Sequence, residues 1–205
     1  MSEIVVYRHA LSGHAHRVEL FLSLLKVPFR VVDVDLMAGA QKKPEFLRMN
    51  AFGQVPVIED GDVTLADSNA ILVYLAGRYD GSGAWYPRDA LTAARVQQWL
   101  SAAAGPLASG PAMARFHKLF GAPLDYAQAA AASERLFKVL DQALGKEPFL
   151  AGAKPTIADV AMYTYTAHAP EGEISLEPYA NIRAWIGRIE ALPGFIPMQR
   201  MARPA

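Results

Sequence analysis

The sequence predicts an α/β domain followed by an all-helical domain. Strand and helix patterns alternate over the first 80 residues, a turn-rich segment follows, and no strand pattern returns after it. The segment "DGSGAWYPRD" marks the boundary, because glycine and proline interrupt regular structure. The predicted limits are residues 1–80 for the α/β domain, 81–88 for the linker and 89–205 for the helical domain.

The first elements form a βαβ unit. "EIVVY" (Glu3 to Tyr7) is a short β-branched run, and "HRVELFLSLLKV" (16–27) has the length and composition of a helix that ends before Pro28. "FRVVDV" (29–34) is a second strand. A helical crossover places it parallel to the first strand with a right-handed connection.

A ββα pattern follows. "VPVIEDGDVTLAD" contains two strands joined through Asp60-Gly61, which indicates an antiparallel hairpin. Ser68 then opens the helix "SNAILVYLAGRY" as its expected N-cap. Pro56 is unusual within an apolar run, because proline cannot donate to a strand ladder. It marks either the start of a strand or a cis Val55-Pro56 bond.

The second half contains four predicted helices. Two are alanine-rich with helical spacing, and two carry proline near the first turn. Their sequences are "ALTAARVQQWLSAAA", "DYAQAAAASERLFKVLDQAL", "PTIADVAMYTYTA" and "PYANIRAWIGRIEAL". Thr156 and Asp159 have N-cap and N3 spacing, which predicts a capping box with a structural role.

Composition excludes several function classes. The chain of 205 residues is 52% hydrophobic, and its 20 basic residues balance 20 acidic ones. No global field attracts nucleic acid or an anionic membrane, which favours a small or neutral partner. The absence of cysteine excludes disulfides and a protein thiol nucleophile. No signal-peptide pattern or apolar run of transmembrane length is present, so we expect a cytoplasmic protein.

Two separate motifs resemble those of the cytosolic glutathione transferases. "GQVPVIEDGDVTLADSNAILVYLA" is similar to their glutathione-binding half, and "FLAGAKPTIADVAMY" to their helical-domain signature. The resemblance implies a thioredoxin-like N-terminal domain that binds glutathione and a helical domain that completes the pocket for a second substrate. It also implies a homodimer. No metal cofactor is expected.

The resemblance assigns roles to the residues around the proline and the third helix. It implies that Ser68 binds the γ-glutamyl carboxylate at a helix start and that Asp67 faces the α-amino group. Val55, ahead of Pro56, matches the position that pairs with the cysteinyl backbone, and Gln54 adds a side-chain amide. In "GAQKKPEF", Lys42 with Gln41 beside it is a candidate for the glycyl carboxylate, although a solvated loop lysine is equally compatible.

The reacting group is expected in "YRHALSGHAHRVEL", where the first strand leads into the first helix. Family members use either a tyrosine at the end of that strand, where Tyr7 stands, or a serine or threonine near the helix start. Ser12 followed by Val18 fits the second pattern and is the preferred residue, with Tyr7 as the alternative. Ser12 is expected to donate a hydrogen bond to the glutathione thiolate and not to act as a nucleophile.

His14 is open to two interpretations. In the bacterial nu class a threonine at the Ser12 position is joined by an asparagine at the His14 position, and both face the sulfur of glutathione or its disulfide. His14 is therefore either a second sulfur-facing donor or a solvated loop histidine. A metal site with His9 and His16 is rejected, because no cysteine accompanies these histidines.

The second-substrate pocket is the least defined part of the sequence. Trp99, Arg115, Phe116 and Tyr163 are candidates by residue type, and Arg115 and Phe116 are selected because they follow the "GPAMA" break. Three functions remain open. They are a transferase acting on a small hydrophobic electrophile, a glutathione-dependent disulfide reductase, and a non-catalytic interaction protein.

Overall fold

A computed structural model describes residues 3–201 and divides them into two compact units. One contains the residues up to Gly81 and those from Pro193 onward, and the other is Ser82–Leu192. The sequence placed the C-terminal segment with the helical domain. The structure groups it with the first unit, where Ser23 Oγ donates to the Gly194 carbonyl at 2.6 Å.

The first unit contains a four-stranded sheet of order β2-β1-β3-β4. The strands are β1 Ile4–Arg8, β2 Phe29–Asp33, β3 Val57–Asp60 and β4 Val63–Ala66. β1 pairs with β2 in parallel, and β3 pairs antiparallel with both β1 and β4. The predicted βαβ and ββα orders are therefore confirmed. The hairpin loop is Gly61–Asp62, one residue later than predicted, because Asp60 still pairs with Val63.

Three helices accompany the sheet. They are α1 Gly13–Leu24, α2 Pro44–Met49 and α3 Ser68–Tyr79. α1 begins three residues before the predicted start, because Ser12 caps it. The sequence analysis missed α2. This helix has only six residues, which is too short to show a helical period in the sequence.

The two faces of the sheet bury different side chains. Val6 and Ile58 are opposite each other in the β1–β3 pair and fully buried. Because side chains alternate along a strand, Tyr7 and Val57 point to the other face, where they pack with Phe46 of α2. The α1 and α3 helices contact each other. This packing brings together the N-terminal ends of two helices that carry predicted site residues.

The second unit is helical. Its helices are α4 Ala90–Ala104, α5 Met113–Phe120, α6 Tyr126–Leu144, α7 Ile157–Ala167 and α8 Ala180–Glu190. The four predicted helices are present. The "GPAMA" segment was interpreted as a break, but it spans the end of a π-helical turn, Ala108–Ala112, and the first two residues of α5. In the described part of the chain, residues 3–201, no helix is long and apolar enough to span a membrane.

The predicted capping box at α7 is present and lies in the core of the helical unit. Thr156 accepts from the Ala158 N–H, and Asp159 accepts from the Thr156 N–H at 2.9 Å. Asp159 also accepts from the Leu150 N–H and from Trp185 Nε1. These donors compensate the desolvation of a fully buried carboxylate, so the structural role that the sequence assigned to the pair fits its geometry.

Candidate functional site

Ser12 is the N-cap of α1. Its Oγ accepts from the Ala15 N–H at 3.3 Å, while its backbone is extended at φ −83° and ψ 113°. A hydroxyl group that accepts in this way keeps its own proton for another acceptor. The helix dipole and the first-turn N–H groups favour an anion at this end of α1. The geometry of Ser12 is therefore compatible with donation to a bound thiolate.

The hydroxyl of Tyr7 has a partner inside the protein. It donates to Glu59 Oε2 at 2.8 Å. Burial, followed by the hydrogen bond to Glu59, raises the pKa of Tyr7 above its ordinary value. A phenol that donates to a carboxylate has to break this bond before it can donate to a ligand. Of the two candidate hydroxyl groups, that of Ser12 can donate to a ligand without first breaking such a bond.

Asp67, and not Ser68, is the N-cap of α3. One carboxylate oxygen of Asp67 accepts from the backbone N–H groups of Asn69 and Ala70, both at 2.9 Å. Its φ of 69° is a positive value that aspartate adopts more readily than most residues. The predicted cap at Ser68 was wrong by one position. Ser68 is instead the first residue of the helix, and its N–H has no intrahelical acceptor there.

Ser68 is buried and contacts two side chains of α1. Its side chain is 5% exposed, its Oγ receives a hydrogen bond from Arg17 at 3.2 Å, and His14 Nδ1 lies 3.5 Å away. The N-terminal ends of α1 and α3 therefore meet at Ser68. Sequence reasoning missed Arg17. The available signal was a charged residue within the apolar run of α1, where an arginine is rarely buried without a partner.

His14 is a neutral side chain over most of the pH range. Burial, and then the nearby positive charge of Arg17, lowers the pKa of His14 to about 3. His16 Nε2 lies 2.9 Å from the Ile196 carbonyl oxygen, and His9 Nδ1 accepts from the Leu11 N–H. Within residues 3–201, no group of three potential ligands surrounds a metal position. The three histidines thus have separate surroundings.

The Val55-Pro56 peptide bond is cis, and β3 begins at the next residue, Val57. Both sequence interpretations of the proline therefore apply. Asn50 fixes the preceding loop, because its side chain donates to the Gln54 carbonyl at 2.8 Å. Within residues 3–201, no hydrogen bond involves the backbone N–H or carbonyl of Val55. The Val55 backbone and the exposed Gln54 side chain are both available to a ligand.

Gln41 and Lys42 lie in a 3-10 turn, Ala40–Lys42, beside this loop. Gly53 has a φ of 59°, and a Cβ atom there would lie 2.8 Å from the Gln41 carbonyl oxygen and 2.9 Å from Lys42 Nζ. Glycine is required at this close approach. The structure thus brings Lys42 next to the loop that carries Gln54.

The residues predicted to contact the second substrate differ in their solvent exposure. Arg115 is 3% exposed, and its Nε pairs with Glu171 at 2.7 Å, so it belongs to the core of the helical unit and not to a pocket wall. Tyr163 is also buried and donates to Glu190. Phe116 is 46% exposed and packs against Phe120. Arg115 was selected by its type and its place after the "GPAMA" break, and Glu171 lies too far along the chain for the sequence to indicate the ion pair.

Trp99 lines a surface cavity of the helical unit. Its Nε1 donates to the Leu150 carbonyl, which fixes the ring. The cavity has a volume of about 310 Å³ and lies between α4 and α6. Its other walls are mainly apolar and are formed by Gln98, Ala102, Pro106, Arg135, Leu136 and Val139.

The fold and site define a class of protein. It has a thioredoxin-like domain in which the N-terminal ends of α1 and α3 meet at Ser68, and a helical domain follows. The chain belongs to the glutathione S-transferase family. The family's N-terminal domain model matches residues 2–77, and its C-terminal domain model matches residues 105–193.

Individual relatives agree with this family. The chain is 33% identical to human glutathione S-transferase theta-2 over 199 residues, which covers 86% of this chain and 82% of that protein. It is 30% identical to the disulfide-bond oxidoreductase YfcG of Escherichia coli over 196 residues, covering 90% and 89%.

Solved structures show the same fold. A glutathione S-transferase from Pseudomonas fluorescens aligns with a TM-score of 0.91 at 32% identity, covering 97% of this chain and 100% of that one. A glutathione transferase homologue from Drosophila mojavensis, solved with bound glutathione, aligns with a TM-score of 0.84 at 27% identity, covering 94% and 90%.

Proposed function

We propose that the protein is a glutathione transferase in which Ser12 stabilises the thiolate of bound glutathione. The observation that carries this assignment is the contrast between two hydroxyl groups. Ser12 accepts a hydrogen bond as the cap of α1 and keeps its proton, whereas Tyr7 donates its proton to Glu59. The family membership of the chain and the Drosophila relative solved with glutathione support glutathione as the substrate.

Glutathione binds along the edge formed by the predicted residues. The γ-glutamyl carboxylate receives hydrogen bonds from the N–H and hydroxyl of Ser68 at the start of α3. Asp67 uses only one carboxylate oxygen for capping, so the other can accept from the α-amino group. The cysteinyl backbone pairs with Val55 as an added strand segment. Gln54 and the turn containing Gln41 and Lys42 bind the remaining amide and the glycyl carboxylate.

The protein lowers the thiol pKa by stabilising the anion. A free cysteine thiol has a pKa of about 8.5, and each unit of lowering corresponds to about 1.4 kcal/mol of preferential thiolate stabilisation. The Ser12 hydroxyl and the N-terminal end of α1 together supply about two units. The thiolate then attacks an electrophilic carbon. With an aryl halide as the electrophile, a carbon–sulfur bond forms and the halide leaves with the electron pair of the carbon–halogen bond. The thiol proton has already passed to solvent.

The second substrate is a small apolar electrophile that contacts α5. Met113, Phe116 and Phe120 are spaced three and four residues apart on this helix, and all three side chains are exposed. Phe116 remains in the proposal, whereas Arg115 is removed from it because of its ion pair with Glu171. Phe116→Ser should raise KM for the electrophile and leave the glutathione Kd unchanged. An unchanged KM would exclude this face of α5.

Glutathione-dependent disulfide reduction is the second candidate function. It is favoured by the similarity to the Escherichia coli disulfide-bond oxidoreductase and by His14 near Ser12 at the start of α1. The thiolate of glutathione would attack one sulfur of a disulfide and release the other as a thiolate. A second glutathione would then resolve the mixed disulfide. All the sulfur atoms come from ligands, because the chain contains no cysteine.

Parallel assays with a generic aryl halide and with a small mixed disulfide separate these functions. Faster turnover of the aryl halide, lost in Ser12→Ala, supports the transferase. Turnover of the disulfide alone supports the reductase. Glutathione binding without either reaction indicates a non-catalytic protein, and absence of glutathione binding refutes the whole proposal.

The proposal includes a homodimer. Phe52 is 81% exposed in the loop before β3, and the cavity beside Trp99 is apolar and large enough for a phenyl ring. A second copy would cover both surfaces reciprocally. Phe52→Ser should weaken the dimer in sedimentation equilibrium, whereas Met37→Ser, which changes a similarly exposed side chain, should not. A monomeric wild-type protein at micromolar concentration would refute the dimer.

A cytoplasmic location and a role in detoxification complete the proposal. A reducing compartment keeps glutathione in the thiol form that the reaction consumes. Small apolar electrophiles made water-soluble by conjugation are the corresponding substrates. Cell fractionation tests the location, and sensitivity of a deletion strain to aryl halides tests the role.

A further inference from the structure

The segment that follows the last helix is bound to α1. This strap, residues 193–198, groups with the first unit although the chain reaches it from the helical unit. The Gly194 carbonyl accepts from Ser23 Oγ at 2.6 Å, and the Ile196 carbonyl oxygen lies 2.9 Å from His16 Nε2. Ser23 lies in the last turn of α1, and His16 lies near its start. The strap therefore contacts α1 at both ends.

The His16 side chain forms the contact near the start of α1. A carbonyl oxygen can only accept, so Nε2 of His16 carries a proton and donates to Ile196. The side chain is 4% exposed. A buried donor that loses its acceptor is costly, because water cannot replace the lost partner. The strap therefore fixes the imidazole ring and the helix residue that carries it.

The backbone of His16 closes the first turn of α1 on Ser12. Its N–H donates to the Ser12 carbonyl at 2.9 Å, and the Ser12 N–H donates to the His9 carbonyl, also at 2.9 Å. Gly13 lies between Ser12 and the rest of this turn, and glycine has more backbone freedom than any other residue. Helix ends fray easily. The position of Ser12 thus depends on a contact that His16 makes with a residue 180 positions away.

We propose that His16 is a positioning residue that holds the Ser12 hydroxyl, through the first turn of α1, where it meets the sulfur of glutathione. This inference rests on the proposed role of Ser12. It does not require His16 to touch the ligand. Loss of the bond between His16 and Ile196 should therefore weaken stabilisation of the thiolate. It should spare the affinity for the rest of glutathione, whose proposed contacts lie on other segments.

The first test compares two substitutions of His16 by ultraviolet titration of the bound thiol. His16→Leu removes the donor and should raise the thiol pKa by about 0.5–1 unit, which lowers the thiolate fraction at neutral pH by about threefold to tenfold. His16→Gln, whose side-chain amide can donate to the same carbonyl, should retain the wild-type value. The Kd of S-methylglutathione, which has no ionisable thiol, should stay within a factor of two in both variants.

The second test displaces the strap and leaves His16 in place. Gly194 has a φ of 92°, and a Cβ atom there would lie 2.7 Å from the Ser23 carbonyl oxygen. Gly194→Ala should therefore move the strap away from α1 and raise the thiol pKa. In the double variant with His16→Leu, the rise should be smaller than the sum of the two single rises, because both substitutions break the same connection.

His117→Leu is the matched control for the loss of a histidine. The His117 ring also donates to a backbone carbonyl, that of Ala122 at 2.8 Å, but this residue belongs to α5 of the helical unit. The substitution removes the same kind of hydrogen bond as His16→Leu. It should leave the pKa of the bound thiol at the wild-type value.

An unaltered thiol pKa in His16→Leu, an equal rise in His16→Gln, or full additivity with Gly194→Ala would overturn the inference. If His16→Leu does not fold, Gly194→Ala decides, and a wild-type pKa in that variant would overturn it. The proposed function fails by different results. A bound thiol that ionises near pH 8.5 in the wild type would refute thiolate stabilisation, and an unaltered pKa in Ser12→Ala would refute the role of Ser12.

Discussion

The hydroxyl of Tyr7 donates to Glu59 Oε2 at 2.8 Å, across the β1–β3 pair. Tyr7 lies opposite Val57, so Glu59 is its diagonal neighbour on the same face of the sheet. The bond occupies the proton that a tyrosine-type transferase would offer to the thiolate. It therefore favours a serine over a tyrosine as the donor to the thiolate, a choice that the sequence alone leaves open, and it makes Ser12 the residue to test.

Replacing Ser68 by alanine should weaken glutathione binding. In the proposed complex the hydroxyl makes a charge-assisted hydrogen bond to the γ-glutamyl carboxylate, worth about 1.5–3 kcal/mol, so the Kd should rise by about tenfold to a hundredfold. Calorimetric titration measures this change. Ser133→Ala, which removes a buried serine hydroxyl from α6, serves as the control and should leave the Kd unaltered. An unaltered Kd in Ser68→Ala would remove this residue from the site.

His14 should make the stability of the protein depend on pH. Its pKa is about 3 in the folded state and about 6.5 in the unfolded state, so only the unfolded chain takes up this proton between these values. The contribution is complete above pH 6.5 and is lost as the pH falls. We expect a loss of about 1–2 kcal/mol between pH 7 and pH 5.

Urea unfolding of wild type and His14→Asn at both pH values tests this contribution. Asparagine cannot titrate, so the variant should lose less stability on acidification. The other histidines contribute equally to both proteins and cancel in the comparison. Identical losses of unfolding free energy in the two proteins would contradict this prediction, because they would show that His14 accepts a proton as readily in the folded state as in the unfolded state.

Gly172 should tolerate no side chain. A Cβ atom there would lie 2.5 Å from the Arg115 backbone nitrogen and 2.8 Å from the carbonyl carbon of Ala114, so α5 would have to move. Gly172→Ala should destabilise the protein by about 1–3 kcal/mol or more. Gly187→Ala, in α8, meets no atom within 4 Å and should stabilise by about 0.5–1 kcal/mol. Thermal unfolding of the pair should therefore show shifts of opposite sign, and a loss of similar size in both would contradict the packing at Gly172.

Local patterns predicted most of the fold. The parallel β1–β2 pair, the hairpin and four of the five helices of the second unit followed from periodicity and turn residues. The capping box at Thr156 followed from the spacing of two residues. These features depend on neighbours within a few positions, which is the range that a sequence pattern reports.

The errors concern contacts between distant segments or unusual backbone conformations. The cap at Asp67 depends on a positive φ that its residue type permits but does not require. Arg17 reaches Ser68 across 51 positions, and Arg115 reaches Glu171 across 56. Only tertiary packing determines whether such a charged side chain lines a pocket or crosses the core.

The most direct test of the account is the ionisation of bound glutathione, followed by the ultraviolet absorption of the thiolate. In wild type the bound thiol should ionise well below pH 8.5, and Ser12→Ala should raise its pKa by about one to two units. Ser12→Thr, which keeps both the hydroxyl and the cap, should retain the low value. Tyr7→Phe should also leave it unchanged, because the phenol proton is directed to Glu59. A shift seen only in Tyr7→Phe would contradict the account and assign the thiolate to the tyrosine.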